Sequence, residues 1–416
     1  MFRPLLPISP RRALLFCLFL GLFELLTYAA SDVIMPGMLG VANELRGNPR
    51  HVPMALNAYL LGSVALQWLL GPLSDRFGRR PLLLTGCLGF SLACLVAPLV
   101  HDINMFIALR FFQGIGLGFV VVVSYPVLQE TFQENDAVRM TAMLGNIALL
   151  SPLLGPLLGG ALLTVIDWRT LFMLIAIAAA LVWLGLCILM PETIDVERKN
   201  AERIVPQPLN VHEISTVYRN LLRNRRFIAG CLAIGMTTLP LIAWIALSPI
   251  LLMHNLGIGM MGYGLWQLPV FGGLIAGNLV LNRIAGRTEM SALARSALPL
   301  LFSGLILALA TTIVFAQPWA LIFGLSVYSL GLGVCNAPLY RLTLFSSKSN
   351  KGAVSALLGM ISVATFGLGS SAIATVGRDS LDRFVYALVV PALLAIWPLR
   401  VLLAPDNEAP LPPPKT

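Results

Sequence analysis

Charge is scarce in this sequence. Only 11% of its 416 residues are Asp, Glu, Lys or Arg, whereas 57% are hydrophobic and the mean hydropathy is +0.84. A soluble domain cannot hide that much apolar surface, so the composition implies a polytopic membrane protein. A cysteine framework is also missing. Cys17, Cys87, Cys94, Cys187, Cys231 and Cys335 all fall in apolar stretches, without a CxxC pair, so neither disulfides nor a metal site is expected. His51, His101, His212 and His254 sit in or beside loops without ligand spacing. No HExxH, GxSxG or P-loop sequence occurs, and no paired carboxylates face a loop. These absences argue against an enzyme and against an ATP-driven pump.

Long apolar runs are abundant. Hydropathy predicts twelve transmembrane helices near 13–38, 53–71, 81–100, 103–126, 138–165, 169–190, 227–253, 262–283, 292–315, 318–340, 352–376 and 383–403. The fold class expected is therefore an all-α polytopic membrane protein. The first run resembles a signal peptide, since Arg11 and Arg12 precede it and Ala29-Ala30-Ser31 follows. Glu24 interrupts its apolar core, however, and the run is longer than such regions usually are, so cleavage is not expected. Residues 191–226 form the longest polar stretch and divide six spans from six. The chain then reads as a six-helix bundle over 1–190, a central loop over 191–226, a second bundle over 227–404 and a disordered Pro-rich tail over 405–416. Within the loop, 209–223 reads equally well as an amphipathic helix on the inner leaflet or as a plain basic linker.

The net charge of +9 has a topological explanation. Of the 28 Lys and Arg residues, 22 lie in the segments on one side if the N-terminus is cytoplasmic, five lie in the opposite loops, and Arg110 lies within a span. That asymmetry puts both termini in the cytoplasm and requires no nucleic-acid partner, only some attraction to anionic membrane lipid. Trp68, Trp168 and Trp319 read as interfacial anchors.

The first span carries the costliest residues. Glu24 lies about 16 Å along the helix from Ala13, near mid-membrane, where a charge costs at least about 2.5–3.5 kcal/mol. Glu24, Tyr28, Ser31 and Asp32 follow i, i+4, i+7, i+8 spacing, which makes one polar stripe on an apolar helix. Such a stripe must face a bundle interior or a watery cavity, and intramembrane acids usually mark a binding site or proton relay. Two carboxylates that merely tie helices together are the structural alternative.

Three motifs follow. Gly71-Pro-Leu-Ser-Asp75-Arg76-Phe-Gly78-Arg79-Arg80 occupies the turn between spans 2 and 3. Its glycines permit a tight turn, and Asp75 is expected to meet a helix N-terminus or a basic neighbour across the interface between the halves. Span 4 holds Arg110 with Gln113 one turn on, beside Gly114, Gly116 and Gly118. Asp32 is the expected partner of Arg110, with snorkelling to the surface as the alternative. Span 5 contains Ser151-Pro152-Leu-Leu-Gly155-Pro156-Leu-Leu-Gly159-Gly160, a kinked helix that lets a neighbour approach closely.

The turn motif resembles the signature of the major facilitator superfamily of secondary transporters. The span 5 motif is similar to one found in its drug/proton antiporters. Further stretches, including Gln67–Arg76, Met190-Pro191-Glu192-Thr193, Ala243-Trp244-Ile245-Ala246 and Arg341–Phe345, resemble the 12-span MdfA-type multidrug transporters through nearly all spans. The resemblance implies two six-helix bundles and alternating access driven by the proton gradient without a cofactor. It further implies a monomer in the inner membrane that exports lipophilic cationic and neutral drugs, such as chloramphenicol and dyes, and confers antibiotic resistance. Glu24, Asp32, Arg110 and Gln113 would couple protons. Tyr28, Ser31, Asp32, Tyr125, Asn146, Leu241 and Trp244 would contact substrate. Gly71, Asp75, Arg76, Gly78, Arg79, Pro152, Gly155, Pro156 and Gly159 would serve conformational change. Ser31 departs from the asparagine of close relatives. A nutrient symporter of the same fold and a non-transporting sensor or scaffold are the alternative readings.

Overall fold

The computed structural model describes residues 4–199, 203–206, 211–284, 289–347 and 351–404, and the statements below concern these. The chain is helical almost throughout, because apolar segments in hydrocarbon must satisfy their backbone polar groups internally. Polar residues at the membrane boundaries start several of the helices. Ser9, Asp102, Asp167, Asn224 and Ser380 each accept a backbone N–H from the first turn that follows.

In the first half, α1 (Pro10–Asp32) continues through a 3-10 turn into α2 (Met38–Glu44), and α3 (His51–Ala65) into α4 (Gln67–Phe77). Then come α5 (Arg79–Val96), α6 (Ile103–Phe119), α7 (Tyr125–Thr131), α8 (Glu134–Leu162) and α9 (Trp168–Leu189). A π-helical turn over Val120–Ser124 joins α6 to α7. After α10 (Val211–Arg223), the second half comprises α11 (Arg225–Ser248), α12 (Met260–Ile284), α13 (Met290–Phe315), α14 (Pro318–Leu344), α15 (Lys351–Gly377) and α16 (Leu381–Leu403). Eleven continuous segments are long and apolar enough to cross a membrane, and the apolar Leu150–Leu162 part of α8 belongs to the twelfth. Of the stretch 209–223 in the central loop, residues 211–223 are helical and 209 and 210 lie outside the described residues.

Helices α1, α3, α5, α6, α8 and α9 pack on one another, as do α11 to α16, and the two groups meet where α3 lies on α15 and α8 on α12. One end of the molecule carries the Gly71–Arg80 turn and is called here the Asp75 end. Gly78 makes that turn with a φ of 102°, a conformation that disfavours any side chain. The carboxylate of Glu192 then caps α5, accepting the N–H groups of Arg79 at 2.9 Å and Arg80 at 3.1 Å. Asp75 meets Arg79, four residues on in the same motif, at 2.6 Å. Arg79 also holds Glu130 of α7 at 2.8 Å. The expected partner across the interface is thus replaced by one within the first half, because Arg79 turns inward and is buried there.

At the opposite end the halves are joined. Asn57 of α3 donates to Ser371 at 2.6 Å and accepts from Ser370 at 2.7 Å, both on α15. Gly160 of α8 lies so near α12 that a Cβ there would sit 2.6 Å from the carbonyl oxygen of Met260. Trp68 and Trp319 are exposed as interfacial anchors should be, but Trp168 is not. It is buried against Phe106 and Phe172 and donates its indole N–H to Glu44 at 2.6 Å, which removes it from the surface.

Candidate functional site

The polar stripe of α1 faces inward. Glu24 and Asp32 are both buried, as are Thr27 and Ser31 on the same helix. Neither carboxylate oxygen of Glu24 has a hydrogen-bond partner among the described residues. An ionised carboxylate out of water and without donors is strongly disfavoured, so the site suits a group that is neutralised by a proton or met by a cation. Tyr28 lies one turn on from Glu24 and one turn before Asp32 in the same helix.

Asp32 is served differently. Ser151 of α8 donates to its Oδ2 at 2.8 Å. Two glycines of the same helix allow α8 to lie directly on α1. A Cβ on Gly155 would fall 2.5 Å from the Asp32 Cβ, and one on Gly159 would fall 2.0 Å from the Val33 carbonyl oxygen. Pro152 and Pro156 both lie inside α8, between and beside these contacts.

Arg110 is buried, which excludes snorkelling. It forms no ion pair with Asp32 among the described residues, contrary to the expectation from depth. Its Nη1 donates to the Ala30 carbonyl oxygen at 2.9 Å and to Gln113 Oε1 at 2.8 Å. The guanidinium carbon lies 4.6 Å from the centroid of the Tyr59 ring. The reason is geometric. Arg110 approaches α1 from α6 and meets the backbone two residues before Asp32, whose carboxylate is held from α8. Tyr59 fixes the arrangement by donating its hydroxyl to the Thr27 carbonyl oxygen at 2.6 Å. A desolvated cation over an aromatic face gains about 2 kcal/mol, which partly offsets burial without a carboxylate.

A cavity of about 790 Å³ lies between the halves at the Asp75 end. The first half contributes Gln67, Asp75, Arg79, Val122 and Tyr125, the second half Tyr340 and Ser355, and α10 contributes Val217 and Tyr218. Tyr125 is the only expected substrate contact that lines it among the described side chains, and the π-helical turn that precedes it packs against α1. The cavity wall formed by Val121 and Val122 therefore backs onto α1. Tyr28, Ser31 and Asp32 lie progressively farther from the Asp75 end along α1. Gly71 lines the cavity beside Asp75. Arg76 is in the last turn of α4. The side chain of Asn146, in α8, lies outside the described residues.

Leu241 and Trp244 do not line this cavity. Both are buried in α11, and Trp244 donates its indole N–H to Gln267 Oε1 at 2.7 Å. Gln267 in turn donates to Ser248 at 3.0 Å. Trp244 also packs on the Phe384 ring at 6.2 Å. The sequence reading did not single out Tyr59, Glu130, Tyr340 or α10 residues as parts of the site. Tyr340 lines the cavity from α14 and Glu130 reaches its lining residue Arg79 from α7, and no local spacing marks either.

Membrane-length apolar helices in two packed halves, a cavity lined from both, and two carboxylates and an arginine buried within the spans form the architecture of a multi-pass membrane transporter. The sequence profile of the Major Facilitator Superfamily matches residues 19–412, and the chain belongs to that family. It is 46% identical over 360 residues to the Multidrug transporter MdfA of Yersinia pestis bv. Antiqua (strain Angola), covering 86% of each chain. The Multidrug transporter MdfA of Escherichia coli O6:H1 is 44% identical over 361 residues, again covering 86% of each. The chain thus stands among the MdfA-type transporters of the superfamily. Among solved structures, a D-xylose-proton symporter superposes with a TM-score of 0.71 at 14% identity, covering 93% of this chain and 97% of that one. A bacterial homologue of the human lysosomal transporter Spinster superposes with a TM-score of 0.72 at 15% identity, covering 95% and 98%. These two likenesses concern the fold alone.

Proposed function

We propose that this protein is a multidrug exporter of the inner membrane that exchanges protons for lipophilic cationic and neutral drugs by alternating access. Its similarity to transporters named for multidrug transport supports the substrate class. One structural observation carries the coupling. Glu24 is fully buried at mid-span with no donor among the described residues, on a helix that packs against the Val120–Ser124 turn, part of which lines the cavity. A proton satisfies that carboxylate in one state and a cationic drug in another, and neither can do so while the other is present. Exchange then follows from competition for a shared element with two conformations. Neutral drugs need only the apolar and aromatic walls and release of the proton.

The basic-residue asymmetry supports a cytoplasmic Asp75 end, and with it two cytoplasmic termini. On that orientation the arrangement is inward-facing, because the cavity lies at the Asp75 end while Asn57 and Gly160 join the halves at the other. Asp32, Arg110 and Gln113 form the second layer of coupling. Release of the Ser151 hydrogen bond would let α8 part from α1. The protein acts as a monomer with no bound cofactor, its energy drawn from the proton gradient.

The test is drug-triggered proton release in inverted vesicles. A lipophilic cation is expected to discharge an imposed ΔpH with the unmodified protein. Glu24→Gln or Asp32→Asn should abolish that discharge at unchanged membrane levels. If no drug across a broad panel moves protons with the unmodified protein, antiport is overturned.

A further inference from the structure

A second concavity lies away from the transport pathway. At the Asp75 end, the start of α13 and the last turn of α16 enclose a groove of about 490 Å³. Arg295 and Arg400 stand on its rim, and Leu298, Phe302, Leu399 and Leu403 line its wall. Neither arginine has a carboxylate within ion-pair distance among the described residues. Arg295 donates one N–H to the Leu403 carbonyl oxygen at 2.5 Å. Among the described residues that contact uses one of its five donors. Arg400 is exposed. Arg226 also comes to this corner, with an N–H on the Ala404 carbonyl oxygen at 3.4 Å. Arg295 and Arg400 thus share one rim, and among the described residues no acid lines the groove to balance them.

The surroundings define the depth. Trp397, a turn before Arg400, is 63% exposed, and such tryptophans settle at the headgroup level of a membrane. Leu393 and Leu394, farther along α16, are 62% and 56% exposed on what must be the hydrocarbon side. The rim is therefore at headgroup height, and the apolar wall runs into the acyl layer. An arginine fork matches a phosphate in charge and geometry, and basic pockets between helices on the cytoplasmic side take anionic lipid head groups.

We propose that the groove between α13 and α16 binds one anionic glycerophospholipid, with its phosphate between Arg295 and Arg400 and an acyl chain along Phe302 and Leu399. A free phosphate ester would satisfy the rim but leave the apolar wall uncovered. The inference does not depend on the transport reading.

The experiment is native mass spectrometry of the full chain in detergent, titrated separately with dioleoylphosphatidylglycerol, dioleoylphosphatidylcholine and glycerol 3-phosphate. One phosphatidylglycerol should be retained in preference to phosphatidylcholine, and glycerol 3-phosphate should not compete at equal concentration. Arg400→Gln should weaken retention about fivefold, and Arg295→Gln with Arg400→Gln about 25-fold, at one headgroup attraction per arginine. Arg400→Lys should keep most of the affinity. Because Arg400 is exposed, its replacement leaves folding intact, which size-exclusion chromatography checks. Equal retention of both lipids, unchanged retention by the double variant, or full competition by glycerol 3-phosphate would each overturn the proposal.

Discussion

Ser151 donates its hydroxyl to Asp32 at 2.8 Å, and one turn later the same helix presses Gly155 against the Cβ of that aspartate, where a methyl would sit at 2.5 Å. The hydrogen bond and the glycine contact are one device, since the hydroxyl reaches only while the backbones are close. Gly155→Ala should push α8 off α1 and break the Asp32 contact. Overpacking of this kind costs about 1–3 kcal/mol. The expected result is loss of drug resistance with a lowered Tm. Gly89→Ala, where a Cβ meets nothing within 4 Å, should change neither. Equal behaviour of the two variants would show that the contact does not matter.

Trp244 and Tyr125 separate packing from substrate contact. Trp244→Phe removes the partner of Gln267 Oε1 in a fully buried setting, which costs about 1–3 kcal/mol. It should lower Tm while leaving the relative resistance to different drugs unchanged. Tyr125→Ala opens the wall of the 790 Å³ cavity and should shift that profile with little effect on Tm. Minimum inhibitory concentrations over a drug panel, taken with thermal shifts, distinguish the two. A changed profile for Trp244→Phe would return this residue to the substrate path.

Much of this was legible from composition and spacing. Twelve apolar runs predict the helices because hydrocarbon leaves the backbone no other solution, and Glu24 stands out because a mid-span carboxylate is costly. The partners were less legible. Depth along two antiparallel helices suggested Asp32 for Arg110, but depth says nothing about azimuth. The guanidinium meets Ala30, Gln113 and the Tyr59 ring instead. Asp75 likewise finds Arg79 in its own motif, and Glu130 joins them from α7 with no spacing signal to announce it. The resemblance placed Trp244 near the substrate. In this arrangement its indole N–H closes a hydrogen-bonded chain with Gln267 and Ser248 inside the second half, which spacing along one helix does not announce.

Asp167 gives a prediction in pH. It accepts N–H from Thr170 at the start of α9, and the Thr170 side-chain and backbone donors hold its carboxyl below the usual carboxylate range. A carboxyl lowered on folding contributes stability that is present above its unfolded value, about 4, and lost as pH falls through the folded one. The cap is therefore fully engaged at neutral pH. Asp167→Ala should cost at most about 1 kcal/mol at pH 7, since the residue is exposed. The Tm gap to the unmodified protein should narrow below about pH 4. A gap that widens on acidification would contradict the capping role.

The Asp75 end offers the sharpest contrast in magnitude. Arg79 binds Asp75, whose side chain is 38% exposed, at 2.6 Å and Glu130, whose side chain is 13% exposed, at 2.8 Å. Exposed pairs are worth about 0–1 kcal/mol, whereas removing one partner of a buried pair costs about 3–5 kcal/mol. Glu130 accepts three donors, Nε–H and Nη2–H of Arg79 and the Thr193 hydroxyl, more than the single neutral oxygen of a glutamine replaces. Glu130→Gln should therefore lower Tm far more than Asp75→Asn. Asp75 lines the cavity between the halves, so its neutralisation should act on transport rate instead. Purified variants compared by thermal melting and by drug-linked proton flux would reveal the split. Equal Tm losses would mean that Arg79 is held by both acids alike and that exposure does not rank them.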